Sequence, residues 1–252
     1  MSVEMLQQAI RRCKTPVALR LQADETALKP ALLRQFTEMY GEGVMATTEA
    51  LRYHGCRVLE QTAGILSAVQ LDVMSYLRYG STGLDVLQNL CAAAKAGGWY
   101  VIADCRTDRA ADWFAILPEA DAVTVLPYGG GENCPVPEGK TAFAVLRTTG
   151  GTAENLMAGD RRLYLALADQ AARRGWGGVI ASGYSLDIRE VRKKQPKLFL
   201  LLTNCAPADT EYAFDDYGHG ALLTDDTIAG AADPAEAARA AVKAMKQIVT
   251  VL

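Results

Sequence analysis

The sequence lacks the short motifs that mark many cofactor and metal sites. Neither G-x-G-x-x-G nor G-x-x-x-x-G-K-[ST] occurs in it, which argues against a dinucleotide-binding domain and a P-loop NTPase. The six cysteines are scattered without a C-x-x-C pair, so neither a zinc site nor a disulfide framework is indicated. We therefore expect no metal and no cofactor.

Basic tracts and long apolar runs are also missing. The formal net charge is −3, and no cluster of Lys and Arg offers the basic face that nucleic acid or an anionic membrane would need. The longest apolar runs are too short to cross a bilayer, and Met1–Glu4 shows no signal-peptide pattern. These absences predict a cytoplasmic protein without nucleic-acid or membrane partners.

One stretch stands out among the residues that are present. The apolar run Trp99–Asp104 ends abruptly in the charged turn Cys105–Arg109. This pattern is typical of a buried strand that delivers ionisable groups to its carboxyl end, where parallel α/β folds keep their chemistry. We expect the floor of any active site here.

Strand-like and helix-like segments alternate along the whole chain. The predicted strands are 17–21, 64–69, 99–104, 122–126, 141–146, 178–181, 198–203 and 221–223. The predicted helices between and after them are 30–39, 47–59, 83–96, 108–117, 160–174, 186–194 and 235–248. Eight strands that alternate with helices in 252 residues predict an α/β protein with a (β/α)8 TIM barrel as a single domain, 1–252, in which residues 1–15 form a capping N-terminal helix.

The carboxyl ends of the predicted strands carry a ring of polar residues. Its members are Gln22, Gln70, Asp72, Asp104, Arg106, Asp108, Tyr128, Arg147, Thr148, Thr149, Tyr184, Asn204, Asp225 and Asp226. Such a ring at one end of a barrel predicts a site for a small molecule.

Several of these segments resemble motifs of one enzyme family. Ala122–Gly130 is similar to a strand-four segment ending in Asn-Pro-Tyr-x-Gly-Gly, and Leu146–Thr149 to a strand-five end that reads Arg-Thr-Ser-Asn. Val101–Asp108 is similar to the segment that bears Asp-x-Lys-x-x-Asp, and Asp233–Arg239 to the final helix. The chain thereby resembles the orotidine 5′-monophosphate (OMP) decarboxylases, in particular their longer bacterial branch. The resemblance implies a homodimeric barrel that converts OMP to UMP in pyrimidine biosynthesis.

The resemblance also implies positions for the catalytic groups. In that family two lysines and two aspartates form a charged array, one aspartate comes from the partner subunit, and a lysine protonates the ring carbanion. Asp104 matches the first aspartate, while Arg106 and Gln70 stand where the two lysines are expected. Asp108 lies one residue before the position of the last aspartate, which Arg109 occupies. A guanidinium stays protonated at ordinary pH and is a poor general acid, so the family reaction is doubtful for this chain.

The resemblance implies substrate-binding positions at Gln22, Thr148, Thr149, Tyr128, Asn204 and Asp226. Gln22 and Asp226 among them depart from the family. Gln22 replaces the ribose-binding aspartate, and Asp226 falls where an arginine would bind phosphate. A carboxylate there would repel a phosphate dianion by several kcal/mol if desolvated and by roughly 1 kcal/mol in water. We infer that OMP is not bound in the family's way.

Three hypotheses about function remain open at this point. In the first, the chain is an enzyme for another phosphorylated or carboxylated metabolite, with Asp104 as base or electrostatic group and Arg106 as an anion clamp. In the second, it is a non-catalytic dimeric barrel with a binding or structural role, in which Asp104 and Arg106 form a structural ion pair. In the third, it catalyses the family's own reaction through residues that this comparison misaligns.

Two further residues have alternative interpretations. His219 lies among acidic and glycine residues, where it is either a metal ligand, an acid or base on a loop, or a solvated histidine. Cys105 alternates with Asp104 along the strand, so it faces the helices and fills the core rather than acting as a nucleophile.

Overall fold

A computed structural model of the chain describes residues 2–127, 134–146, 163–182 and 185–252. Eight parallel strands close into a barrel in chain order. They are β1 (Val17–Leu21), β2 (Ala68–Asp72), β3 (Tyr100–Thr107), β4 (Ala122–Val125), β5 (Thr141–Val145), β6 (Gly178–Ser182), β7 (Phe199–Thr203) and β8 (Ala221–Asp225). The predicted (β/α)8 TIM barrel is therefore confirmed.

Helices surround this barrel. They are α1 (Ser2–Cys13), α2 (Pro30–Tyr40), α3 (Val44–Thr62), α4 (Val73–Leu77), α5 (Gly80–Ala96), α6 (Ala110–Ile116), α7 (Leu163–Arg173), α8 (Ser185–Lys194) and α9 (Pro234–Met245). Helix α9 begins one residue before its predicted start; Asp233 Oδ1 caps it by accepting a hydrogen bond of 3.0 Å from Glu236 N, and Pro234 occupies the first turn.

Alternate strand positions separate two apolar layers, as the pleat of a strand requires. The outward-facing residues pack against the helices in one large cluster. The inward-facing residues fill the barrel, among them Ala18, Ala68 and Ile102. Leu6 and Ile10 of α1 are completely buried in this inner cluster. Helix α1 thus closes the amino end of the barrel.

Strand β3 contains a bulge at the position of the charged turn. Ala103 pairs with Val123 and the next pair joins Thr107 to Val125, so residues 104–106 lie opposite a single residue of β4. Arg106, with a φ of 47°, lies in the left-handed region, which non-glycine residues seldom adopt. The bulge extends β3 beyond its predicted end and sets the direction of its last side chains.

Strand β2 begins later than predicted. The backbone N atoms of Ile65 and Leu66 both donate to Thr62 O, so this segment completes the end of α3 instead of starting a strand. Gln70 consequently lies within β2 and Asp72 is its last residue. Helix α4 was not predicted either; Asp72 caps it by accepting a hydrogen bond of 3.2 Å from Ser75 N.

Candidate ligand-binding site at the carboxyl end of the barrel

Asp104 lies in the bulge of β3 and is held by two neighbours. Its side chain is 3% exposed, Thr124 Oγ1 donates a hydrogen bond of 2.7 Å to Asp104 Oδ1, and Arg106 Nε lies 3.4 Å from the same oxygen. One hydroxyl and one guanidinium therefore compensate the buried carboxylate.

Arg106 is fixed through its backbone, and half of its side chain is exposed. Its backbone N donates a hydrogen bond of 2.8 Å to Thr124 Oγ1. The side chain is 49% exposed, and its terminal nitrogens make no hydrogen bond to any residue within the described ranges. A guanidinium held in this way can present two parallel N–H groups to a carboxylate.

A second ion pair spans the ends of β1 and β2. Arg20 Nη2 donates a hydrogen bond of 3.0 Å to Asp72 Oδ2, and the two side chains are 14% and 22% exposed. Sequence reasoning missed Arg20 because it considered the residue after the strand, Gln22. Arg20 lies two residues after the inward-facing Ala18, so its side chain also points into the barrel. This alternation was the sequence signal that could have identified it.

Gln70 lies beside Arg20 in the register of β1 and β2 and is 1% exposed. Neither its Oε1 nor its Nε2 has a hydrogen-bond partner in the part of the chain that the structure describes. A buried amide without partners costs about 1–3 kcal/mol. The carboxyl end of the barrel therefore holds an unused donor and acceptor next to the Arg20–Asp72 pair.

Asp108 and Gln22, the other residues predicted for the site near β3 and β1, lie at the edge of the group that Asp104, Arg106 and Gln70 form. Asp108 is exposed, in the turn after β3, and its carboxylate makes no hydrogen bond to a described residue. The neighbouring Arg109 is paired with Asp112 at 2.5 Å. Gln22 is half-buried, one residue beyond β1. Asp104, Arg106 and Gln70 thus lie on or within β2 and β3, whereas Gln22 and Asp108 follow their strands.

Asn204 and Asp226 line one cavity of about 590 Å³ at the ends of β7 and β8. Arg20 and Asp225 also line it, and its remaining wall is mainly apolar. Asp225 Oδ1 accepts hydrogen bonds from the backbone N and the hydroxyl of Thr227, at 2.8 and 2.7 Å. Since Arg20 is paired with Asp72, the described lining carries an excess of negative charge.

Five residues of the predicted ring, namely Tyr128, Arg147, Thr148, Thr149 and Tyr184, lie outside the described residues.

The positions of the lysines bear directly on the chemistry. They are Lys14, Lys29, Lys95, Lys140, Lys193, Lys194, Lys197, Lys243 and Lys246, and all of them lie within the described ranges. None lies on a barrel strand or within four residues after one. Lys95 and Lys140, for example, lie at the opposite end of the barrel, where they bind Asp121 and the carbonyl oxygens of Pro118 and Ala120.

Other reactive groups make no site within the described residues. No cluster of three or more His, Cys, Asp or Glu side chains suited to a metal ion occurs there. Cys105 faces the helices as predicted, and burial raises the pKa of its thiol far above the ordinary value. His219 accepts a hydrogen bond of 3.2 Å from Arg11 Nε in a contact with α1. None of the described helices is long and apolar enough to cross a membrane.

The fold and the site together define an α/β barrel whose carboxyl end carries paired ionisable groups. No family model matches the sequence, and no curated protein matches it either. Solved structures do resemble it. The OMP decarboxylase of Leishmania donovani has a TM-score of 0.79 at 22% identity, with 98% of each chain covered. That of Plasmodium berghei has a TM-score of 0.79 at 12% identity, with 97% of each chain covered.

A third similar structure is the Methanocaldococcus jannaschii OMP decarboxylase in complex with the inhibitor BMP. It has a TM-score of 0.66 at 14% identity, and the match covers 92% of this chain and 99% of that one. The chain therefore has the fold of the OMP decarboxylases, as its sequence motifs implied.

Proposed function

We propose that the chain is a divergent member of the OMP decarboxylase family that has lost the family's reaction and binds a small carboxylate-bearing molecule at the carboxyl end of the barrel. One observation carries the first part: no lysine lies on a strand or close after one. Protonation of a ring carbanion needs a donor that can release its proton, and a guanidinium does so very poorly.

Arg106 supports the second part of the proposal. Its backbone is fixed by Thr124 and its Nε faces Asp104, so the terminal nitrogens are oriented without a hydrogen bond to any described residue. Such a preorganised guanidinium binds a carboxylate through two parallel hydrogen bonds. Asp104 holds the arginine in place and acts as a positioning residue.

The charge around the ends of β7 and β8 favours a carboxylate over a phosphate ester as the bound group. Asp225 and Asp226 line that end of the site, and Arg20 is already paired. A phosphate dianion placed there would meet two carboxylates, whereas a carboxylate bound at Arg106, on the β3 side, avoids them.

The proposal is tested by thermal unfolding of the full chain with orotate, benzoate and succinate, each beside a neutral counterpart: uracil, benzamide and succinamide. At least one carboxylate should raise the melting temperature more than its counterpart, and Arg106→Gln should weaken that binding about tenfold. Arg109→Gln is the matched control because Arg109 pairs with Asp112. The proposal fails if no carboxylate is preferred, or if both variants behave alike.

A second candidate function is a binding or structural role as a homodimer, which the family resemblance implies. The turn between α2 and α3 favours it, because Met39, Tyr40, Val44 and Met45 are 63, 47, 51 and 48% exposed. An exposed apolar patch of this kind is typical of a surface that binds protein. Light scattering measures the molar mass of the unmodified chain and of a Met39→Lys, Met45→Lys variant. If the chain dimerises through this turn, the unmodified chain is a dimer and the variant dissociates.

A further inference from the structure

A second cavity, of about 240 Å³, lies outside the barrel between the α2–α3 pair and the start of α9. Lys29, Leu32, His54, Arg57, Val58 and Pro234 are among the residues that line it. It shares no lining residue with the cavity at the ends of β7 and β8.

The charges of this cavity have one sign. Lys29 and Arg57 line it, and no Asp or Glu stands among its described lining residues. Arg57 is 52% exposed and its Nη1 lies 3.9 Å from Glu60, a long contact between two exposed side chains that contributes little. The side-chain ammonium of Lys29 has no hydrogen-bond or ion-pair partner within the described ranges. Two cations thus meet at a concave surface with weak compensation or none.

His54 adds a polar group to the same wall. Its Nε2 lies 3.0 Å from Ala229 O, and because a carbonyl oxygen only accepts, Nε2 carries the hydrogen. Burial lowers the pKa of His54, the hydrogen bond to Ala229 O opposes this, and the charge of Lys29 lowers it further. Lys29 and His54 line the same cavity. A lowered pKa favours the neutral form of the ring at pH 7.

We propose that this cavity binds a phosphate-type dianion between Lys29 and Arg57, either free phosphate or the phosphate group of a small ester. Two cations at one concave site provide charge-assisted hydrogen bonds to such a group. Leu32 and Val58 supply an apolar wall for an attached organic part. The inference does not depend on the proposed function, since it concerns a separate surface.

Calorimetric titration of the full chain with inorganic phosphate and with glycerol 3-phosphate, at constant ionic strength, tests this site. Lys29→Gln and Arg57→Gln should each weaken binding about tenfold. Arg34→Gln is the control, because it removes a charge from α2 at an exposed residue outside the cavity and should leave the affinity unchanged. If glycerol 3-phosphate binds more tightly than inorganic phosphate, the ligand class is a phosphate ester. If the two affinities are equal, the ligand is free phosphate.

Proton NMR of the imidazole rings locates the bound anion independently. The sequence has two histidines, so a His219→Gln variant assigns both sets of ring signals. Phosphate should shift the signals of His54 and leave those of His219 in place. The proposal is overturned if neither anion binds, if Arg34→Gln weakens binding as much as the cavity variants do, or if the signals of His54 do not move.

Discussion

Thr124 Oγ1 donates a hydrogen bond of 2.7 Å to Asp104 Oδ1 and accepts one of 2.8 Å from the backbone N of Arg106. A single hydroxyl on β4 therefore holds both the buried carboxylate and the left-handed residue of the β3 bulge. Because three residues of β3 lie opposite Thr124, no regular ladder of backbone hydrogen bonds could fix them. The orientation of Arg106 depends on this side chain.

Replacing Thr124 by Val keeps its shape and removes the hydroxyl. We expect the free energy of unfolding to fall by about 2–3 kcal/mol, since a buried carboxylate and a backbone N–H both lose a partner. Thr124→Ser keeps the hydroxyl and should lose less than about 1 kcal/mol. Urea unfolding followed by circular dichroism measures both. Equal losses in the two variants would show that the hydroxyl does not hold the bulge.

Replacing Gln70 by Met should stabilise the ligand-free protein. Both amide atoms of Gln70 are buried without partners among the described residues, and an apolar side chain of similar length removes that cost of about 1–3 kcal/mol. The matched control is Leu71→Met on the outer face of β2, which should change stability by less than about 1.5 kcal/mol. A clear loss of stability in Gln70→Met would mean that ordered water satisfies the amide.

Arg192 joins α8 to the loops before β7 and β8. Its guanidinium donates hydrogen bonds to the carbonyl oxygens of Ala213, Pro196, Leu198 and Gly220 at 2.6–3.1 Å.

A lysine cannot reproduce that arrangement, because its donors radiate from one nitrogen. Arg192→Lys should therefore lower the free energy of unfolding by about 3 kcal/mol in urea titrations. Arg173→Lys, at the exposed end of α7, is the control and should change it by less than about 0.5 kcal/mol. A small effect at Arg192 would contradict its role in joining these segments.

His54 should make the protein less stable in mild acid. Burial lowers its pKa below the ordinary 6.5, so the unfolded chain binds more protons than the folded chain once the pH falls below that value. The free energy of unfolding is therefore lower at about pH 5.5 than at about pH 7.5, two values on either side of the ordinary pKa. In His54→Gln this decrease should be smaller, which urea titrations at both pH values measure. An equal decrease in both proteins would assign the effect to other groups.

The barrel was predictable from the sequence because apolar strand segments alternate with helical ones at regular intervals. Strand β1 has its predicted bounds, 17–21. Strand β2 was placed too early, since the apolar stretch from Gly64 turns back onto α3 before the strand begins. Short elements such as α4 depend on a cap at one residue, here Asp72, and leave little periodicity to detect.

The candidate site was predictable only in part. Asp104 and Arg106 were expected at the end of β3 and lie there as an ion pair. Arg20 was missed, because the position of a side chain in a barrel depends on strand register as well as sequence order. The bulge at 104–106 is fixed by a contact with β4, which no local pattern in β3 reveals.

The most direct test of the account is steady-state decarboxylation of OMP by the purified, unmodified chain. The double variant Gln70→Lys, Arg106→Lys, assayed beside it, restores lysine at the two positions where the family has it. Without a lysine at the strand ends, the unmodified chain should release no carbon dioxide from OMP above the uncatalysed rate, and UMP should not raise its melting temperature. Turnover by the unmodified chain would contradict the central claim, because a proton donor would then have to reach the site by a route that the described residues do not provide.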